Sequence, residues 1–276
     1  MFLSLRGDFK KIYKFVFSFG ARKYLDVFFL KYEVYILKLV LCIIYDKRDL
    51  RYDLSELDYI IGSKLKIDVN KLRNSENVEQ FIFNLHGTEF FEFMNKCYQE
   101  TKSLFELEMK LDLYYYLKLD KAIDKHLNDN DKSILKKING IEIDLTNISI
   151  MYRIKKYYKI ANEKIWGYLI PLGYKLKKDD ITEFLATNNL SDMENMICDS
   201  FYGRWFKKES FNNIEKVIYD CLSEIYCHIY LNSNDSIFGV IYYFYLKKLE
   251  INNITSLIEG VRYKLVPDKI MDYIFI

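Results

Sequence analysis

Only two prolines, Pro171 and Pro267, interrupt the 276 residues, and ten glycines are spread among the rest. Proline removes a backbone N–H and clashes with the preceding helical turn, so a chain this poor in breakers favours long helices over a many-turned β-fold. Apolar residues recur accordingly. Ile214, Val217, Ile218, Cys221, Ile225 and Ile229 fall on one face at the 3.6-residue helical spacing, as do Leu104, Leu107, Leu111, Tyr115, Leu119 and Ala122. Ile237, Val240, Ile241 and Phe244 begin a third stripe, which continues through Ile251, Ile254 and Ile258. Asx and Ser clusters at 128–131, 188–189, 211–213 and 232–235 punctuate these runs. Such side chains compete for backbone hydrogen bonds and cap helix ends. The expected fold class is all-α.

Half of the residues are apolar and formal net charge is +2. The first figure argues against disorder. The second is too balanced for a protein that binds nucleic acid by neutralising phosphates, so no nucleic-acid partner is expected. The short basic runs Lys155-Lys156 and Lys207-Lys208 read as solvated helix faces. Five scattered cysteines, Cys42, Cys97, Cys198, Cys221 and Cys227, lack metal-ligand spacing and suggest reduced thiols. The most apolar run, Val34 to Tyr45, contains Lys38 and is shorter than the roughly 20 residues a spanning helix needs. It reads as a buried core helix, and any membrane association is expected to be peripheral. The charged start, with Arg6, Asp8, Lys10 and Lys11, does not read as a signal peptide.

A weak internal repeat is more informative. Glu33-Val34-Tyr35-Ile36-Leu37-Lys38, Asp144-Leu145-Thr146-Asn147-Ile148 and Glu250-Ile251-Asn252-Asn253-Ile254 each set an acid before an aliphatic, with Asn three residues after the acid in the second and third. The acids are 144 − 33 = 111 and 250 − 144 = 106 positions apart. Basic residues follow each: Lys38, then Arg153 and Lys155, then Arg262. Leu85 to Phe91 resembles Ile197 to Tyr202, and Thr88 to Ser200 is 112 positions. Ile60-Ile61-Gly62-Ser63-Lys64-Leu65 lies over Leu169 to Leu176, with Lys264 to Pro267 as a shorter third counterpart. Locally, these residues read as helix caps and partners for buried backbone. Their threefold order carries the functional information.

At these residues the chain resembles the C subunit of bacterial and archaeal V/A-type ATPases, a relative of the eukaryotic d subunit. That family carries a Tyr/Phe-Asp-x-x-Asn-Leu motif in each of three helical domains. Tyr32 to Lys38 is the first copy here, with Ile36 where the pattern has Asn. Ile143 to Ile148 is the second and best match. The family's Leu-x-Pro-x-Gly-x-Leu continuation resembles Leu169 to Leu176. Its ending resembles Glu250, Ile251, Asn253 and Ile254, then Gly260, Arg262, Pro267 and Ile270. The resemblance implies three pseudo-repeated helical domains, 1–97, 98–208 and 209–276, arranged as a pseudo-threefold funnel. It implies a non-catalytic part of the central stalk, at the cytoplasmic face of the membrane. Its expected partners are the rotor shaft subunits and the membrane ring of ion-carrying subunits. Glu33, Lys38, Asp144, Asn147, Arg153, Glu250, Asn253 and Arg262 are then structural repeat residues. In the same frame a copy of the Thr88 element falls upstream of Met1, so a leading segment of roughly 50 residues is expected to be missing from the first domain.

No catalytic motif is read from the sequence. The Gly-rich loops that cradle nucleotides are not found, and His86, His126 and His228 are isolated from one another. Asp179-Asp180 fits the first turn of a helix, where negative charge meets the positive end of the dipole. Trp166 and Trp205 read as core or interface anchors. No cofactor and no metal are expected. The alternative reading is a degenerate helical interaction scaffold outside the rotary machine. A helical enzyme would instead require a deep pocket with convergent polar groups.

Overall fold

The computed structural model describes residues 19–47, 65–158, 160–187, 189–233 and 236–275, with the side chains of Phe19 and 208–210 left aside. The charged start and residues 60–64 of the repeat lie outside the described residues. Every regular element described is helical, as the sparse prolines and apolar stripes predict. The chain divides into two compact units, 1–127 and 128–276.

In the first unit, α1 (Phe19–Phe28) and α2 (Leu30–Tyr45) both pack on α6 (Leu104–His126). The predicted α6 stripe is the buried face: Leu107, Leu111, Tyr115, Leu119 and Ala122 all point inward. The α2 helix is the expected core helix. Ile36, Leu37, Val40 and Leu41 are fully buried, and covering such side chains contributes about 2 kcal/mol each. Gly20 permits the closest approach in this packing, since a Cβ there would stand 2.2 Å from the His126 carbonyl oxygen. Between α2 and α6 run α3 (Val69–Arg73), α4 (Val78–Asn84) and α5 (Phe90–Glu100). Asp68 caps α3 by accepting from the Asn70 and Lys71 N–H groups, and Asn77 caps α4 by accepting from Gln80.

The second unit is built around α7 (Asp129–Tyr157). Asn128 caps it, accepting from the Asp131 N–H at 2.8 Å. Asp129 and Asp131 occupy its first turn and Lys155 and Lys156 its last, which suits the helix dipole at both ends. Ile143, Leu145, Ile148, Met151 and Ile154 are fully buried on several faces, so α7 is a core helix covered on more than one side. After α8 (Asn162–Ile165), α9 (Lys178–Ala186) and α10 (Leu190–Asp199), a 3₁₀ turn at Lys208–Asn213 leads to α11 (Ile214–Asn232). The α10 and α11 helices pack on α7, as does α12 (Phe238–Arg262), and α13 (Pro267–Met271) folds back on α12. Asn189 and Asn213 cap α10 and α11 as the Asx clusters predict. Asp179 and Asp180 stand in the first turn of α9. The third stripe departs from expectation at its end: α12 runs through Ile258, but that residue is 61% exposed.

Candidate functional site

The acid and asparagine of the second repeat tie a returning loop to the middle of α7. Asp144 is fully buried. Its Oδ2 accepts from the main-chain N–H groups of Tyr174, Lys175 and Leu176 at 3.1, 2.6 and 3.0 Å, and from the Tyr202 hydroxyl at 2.7 Å. One helical turn on, Asn147 clamps a single residue from both sides. Its Nδ2 donates to the Ile170 carbonyl at 2.8 Å, and its Oδ1 accepts the Ile170 N–H at 2.9 Å. Gly173 lets the loop come this close, because a Cβ there would fall 2.1 Å from Asp144 Oδ1. Leu172 just before it adopts a left-handed φ of 76°. That conformation costs a non-glycine residue on the order of 1–2 kcal/mol, which the bonds to Asp144 offset.

Burial pushes the Asp144 carboxyl up, against the pull of the three N–H groups and the Tyr202 hydroxyl. The Tyr202 hydroxyl is also pushed up, by burial first and then by the Asp144 charge. Four donors converge on Oδ2 and the residue is fully buried, so the carboxylate is turned to its own chain and away from solvent. The chemistry of the arrangement is that of a tie between segments.

The first repeat holds its acid differently. Glu33 on α2 is 5% exposed. Its Oε1 accepts the Lys66 N–H at 3.0 Å, while the buried Oε2 has no hydrogen-bond partner among the described residues. Burial raises this carboxyl above its ordinary range, opposed by the Lys66 N–H and by the Lys66 and Lys118 ammonium groups. Nearby, Glu89 pairs with Lys66 at 2.9 Å, contacts Lys118 and accepts from the Tyr114 hydroxyl at 3.0 Å. The Tyr114 hydroxyl is pushed up to about 12 by burial and the Glu33 charge.

In the third repeat Asn253 forms the same clamp as Asn147. Its Nδ2 donates to the Phe275 carbonyl at 2.7 Å and its Oδ1 accepts the Phe275 N–H at 2.8 Å. The clamped residue lies 23 positions after Asn147 and 22 after Asn253. Glu250 does not repeat Asp144: it pairs with Lys247 at 2.7 Å, with half of its side chain (51%) exposed.

A second correspondence relates short helices of the two units. Asn77 and Asn189, 112 positions apart, are both N-caps accepting from the N–H three residues on. At the same spacing, the Thr88 and Ser200 hydroxyls each donate at 2.7 Å to a carbonyl three residues back, those of Leu85 and Ile197. Each also accepts an N–H two residues on, from Phe90 at 3.3 Å and Tyr202 at 3.2 Å. Phe90 and Tyr202 are both buried.

The basic residues do not fall into matching places. Lys38 on α2 pairs with Asp112 on α6 at 2.7 Å. Arg153 is exposed on α7, and exposed Arg262 stands 6.0 Å from the Tyr263 ring. The basic residue that closes a helix end is Lys155, which donates to the Leu185 carbonyl at 2.9 Å and to Thr187 Oγ1 at 2.8 Å. The sequence places Lys155 after the motif without revealing that role; its position in the last turn of α7 is the available signal. Among the described residues no group of three or more His, Cys, Asp or Glu stands close enough to hold a metal ion. None of the helices described is long and apolar enough to cross a membrane. Cys221, buried in α11, has its thiol pushed up to about 12 by burial, which makes it inert.

These features define an all-helical protein whose recurring polar residues tie returning segments onto long helices. The chain belongs to the ATP synthase (C/AC39) subunit family, whose sequence model matches residues 3–273. It is 31% identical over 143 residues to the C subunit of the A-type ATP synthase of Methanosphaera stadtmanae, covering 51% of this chain and 37% of that protein. It is 24% identical over 218 residues to the protein of the same name from Methanobrevibacter smithii, covering 74% and 56%. With that of Archaeoglobus fulgidus it shares 26% identity over 266 residues, covering 92% and 72%. The chain thus spans from about a third to a little over half the length of the first two relatives.

Proposed function

We propose that the protein is the central-stalk socket of a rotary V/A-type ATPase: a non-catalytic component, peripheral at the cytoplasmic face of the membrane, that joins the rotor shaft to the ring of ion-carrying subunits. The observation that carries this reading is the family match over nearly the whole chain. The relatives' shared name, as C subunits of A-type ATP synthases, supports it.

The ties support the mechanical part of the role. A socket must pass torque without elastic loss, and close-packed helices have low compressibility. Asp144 and Asn147 pin residues 170–176 to α7 by five hydrogen bonds, a sixth ties the Tyr202 hydroxyl to Asp144, and Asn253 repeats the clamp on α12. The paired spacings near 106 and 112 support a frame of three modules, 1–97, 98–208 and 209–276, set around one axis as a funnel. In that frame Glu33, Asp144, Asn147 and Asn253 are tie residues, whereas Glu250, Lys38, Arg153 and Arg262 hold corresponding sequence positions without corresponding contacts.

Affinity co-purification tests the reading. The tagged chain, co-expressed with the shaft and ring subunits of its own organism, is expected to bring down both in one complex that survives gel filtration. Recovery of neither, from a chain shown by circular dichroism to be folded, refutes it.

A further inference from the structure

Asn139 is followed by Gly140, and no other asparagine in the sequence has glycine after it. That pair has a chemistry of its own. Once hydroxide has taken its proton, the Gly140 amide nitrogen attacks the Asn139 carboxamide carbon, Cγ, with no side chain at 140 in the way. An N–Cγ bond forms, the Cγ–Nδ2 bond breaks, and Nδ2 takes a proton from water and leaves as ammonia. The product is a five-membered succinimide. Water then opens the ring at either carbonyl. Opening at Cγ gives aspartate with the main chain unchanged. Opening at the main-chain carbonyl gives isoaspartate, in which the main chain runs through Cγ. No group is oxidised or reduced, and hydroxide and water are the only co-reactants.

The fold holds this pair in a setting that stops the reaction. Residues 139 and 140 lie in the interior of α7, where the Gly140 N–H is held in the helical ladder and the backbone cannot turn into the ring. Asn139 is 3% exposed, and its Oδ1 has no hydrogen-bond partner among the described residues. Glycine weakens a helix interior, and here its presence has a packing reason. A Cβ at 140 would stand 2.9 Å from Tyr174 Cβ and 3.1 Å from the Tyr174 nitrogen. That nitrogen is one of the donors to Asp144, which lies one helical turn beyond Gly140. The loop that Asp144 holds therefore demands the very residue that makes Asn139 reactive.

We infer that Asn139-Gly140 is a deamidation site gated by α7: closed in the folded protein, and open in a chain that has lost this helix. The change is one-way. Aspartate at 139 puts a charge where the amide oxygen already lacks a partner and the residue is buried. Isoaspartate adds a main-chain atom to α7, which interrupts the ladder and shifts Gly140 from beneath Tyr174. A chain that stays open long enough to react thus loses the seat of its own tie. The inference is independent of the protein's partners, and its test uses none.

The full-length protein is incubated at about pH 8 in a urea series spanning its unfolding transition, which circular dichroism follows in the same samples. Trypsin then releases residues 138–153, a peptide that carries Asn139 and Asn147 together. Mass spectrometry of its fragments locates the conversion, and isoaspartyl methyltransferase counts the isoaspartate. Conversion at Asn139 is expected to follow the unfolded fraction, and to be at least about a hundredfold slower in buffer than in full denaturant. Asn147, followed by the branched Ile148, is expected to react at least about tenfold more slowly than Asn139 in the unfolded chain. Asn139→Asp, which installs one product by mutation, is expected to unfold at lower urea than the parent. Equal rates at Asn139 in buffer and in denaturant overturn the proposal, as do equal rates at Asn139 and Asn147 in denaturant. An Asn139→Asp midpoint at or above the parent's also overturns it, because α7 then accepts the product.

Discussion

Replacing Asp144 by alanine strands four donors at once. The N–H groups of Tyr174, Lys175 and Leu176 and the Tyr202 hydroxyl all give to this carboxylate, whose residue is fully buried. Each buried donor left without a partner costs about 1–3 kcal/mol, so even the low end gives a loss of about 4 kcal/mol. A typical domain has only about 5–15 kcal/mol of stability, so the loss approaches the whole. Asp144→Asn keeps the shape and an acceptor but turns charge-assisted bonds into neutral ones, and its loss falls between the parent and the alanine variant. Glu250→Ala is the internal control: a half-exposed ion pair with Lys247 is worth about 0–1 kcal/mol. Urea unfolding followed by tryptophan fluorescence reads the difference directly. Both tryptophans, Trp166 and Trp205, lie in residues 128–276, and the Trp205 ring is 6.4 Å from that of Tyr202. An Asp144→Ala protein no less stable than Glu250→Ala refutes the tie.

Asn147→Ala and Asn253→Ala each remove a two-bond clamp, and losses of about 1–3 kcal/mol are expected in urea unfolding, larger for Asn147, whose bonds are both buried. Gly173→Ala forces the loop off Asp144 Oδ1, 2.1 Å from the new Cβ; hydrogen exchange is expected to accelerate at Tyr174, Lys175 and Leu176, while the Ile170 amide held by Asn147 changes least. Burial holds the Glu33 carboxyl above its ordinary range, so folding favours its protonated form. That contribution is complete below the unfolded pKa of ~4.3 and is lost as pH rises through the folded value. Glu33→Gln, neutral throughout, is therefore expected to match the parent in urea titrations at pH 4 and to be the more stable protein at pH 7; a less stable variant at pH 7 contradicts the assignment.

The helices are legible because their signals are local. The stripe from Leu107 to Ala122 is the buried face of α6, with Leu104 before it only half-buried, and Asn128, Asn189 and Asn213 cap the helices they precede. The run from Val34 to Tyr45 reads as core from its apolarity alone, and α2 is that. The partners of the acids are not legible. Asp144 finds its three main-chain donors 30 to 32 residues away, along a path set by the left-handed Leu172 and the missing side chain of Gly173, and the Tyr202 hydroxyl 58 residues away. Residue types announce that a loop can bend; they do not say where it returns. Nor does a repeat pattern say that each copy is equally covered, which is why Ile258 reads as core by spacing and stands exposed in the structure. The basic residues show the same limit: Lys38 makes a long-range ion pair, Lys155 closes α9, and Arg153 faces solvent.

A body seated on the axis of a ring occurs once per ring and touches shaft and ring together. Native mass spectrometry of the complex assembled from this chain, the shaft subunits and the membrane ring counts those copies. One copy in a particle that also holds shaft and ring is the result predicted for a socket. Several copies per ring, or a chain found with one component and never with both, contradicts it.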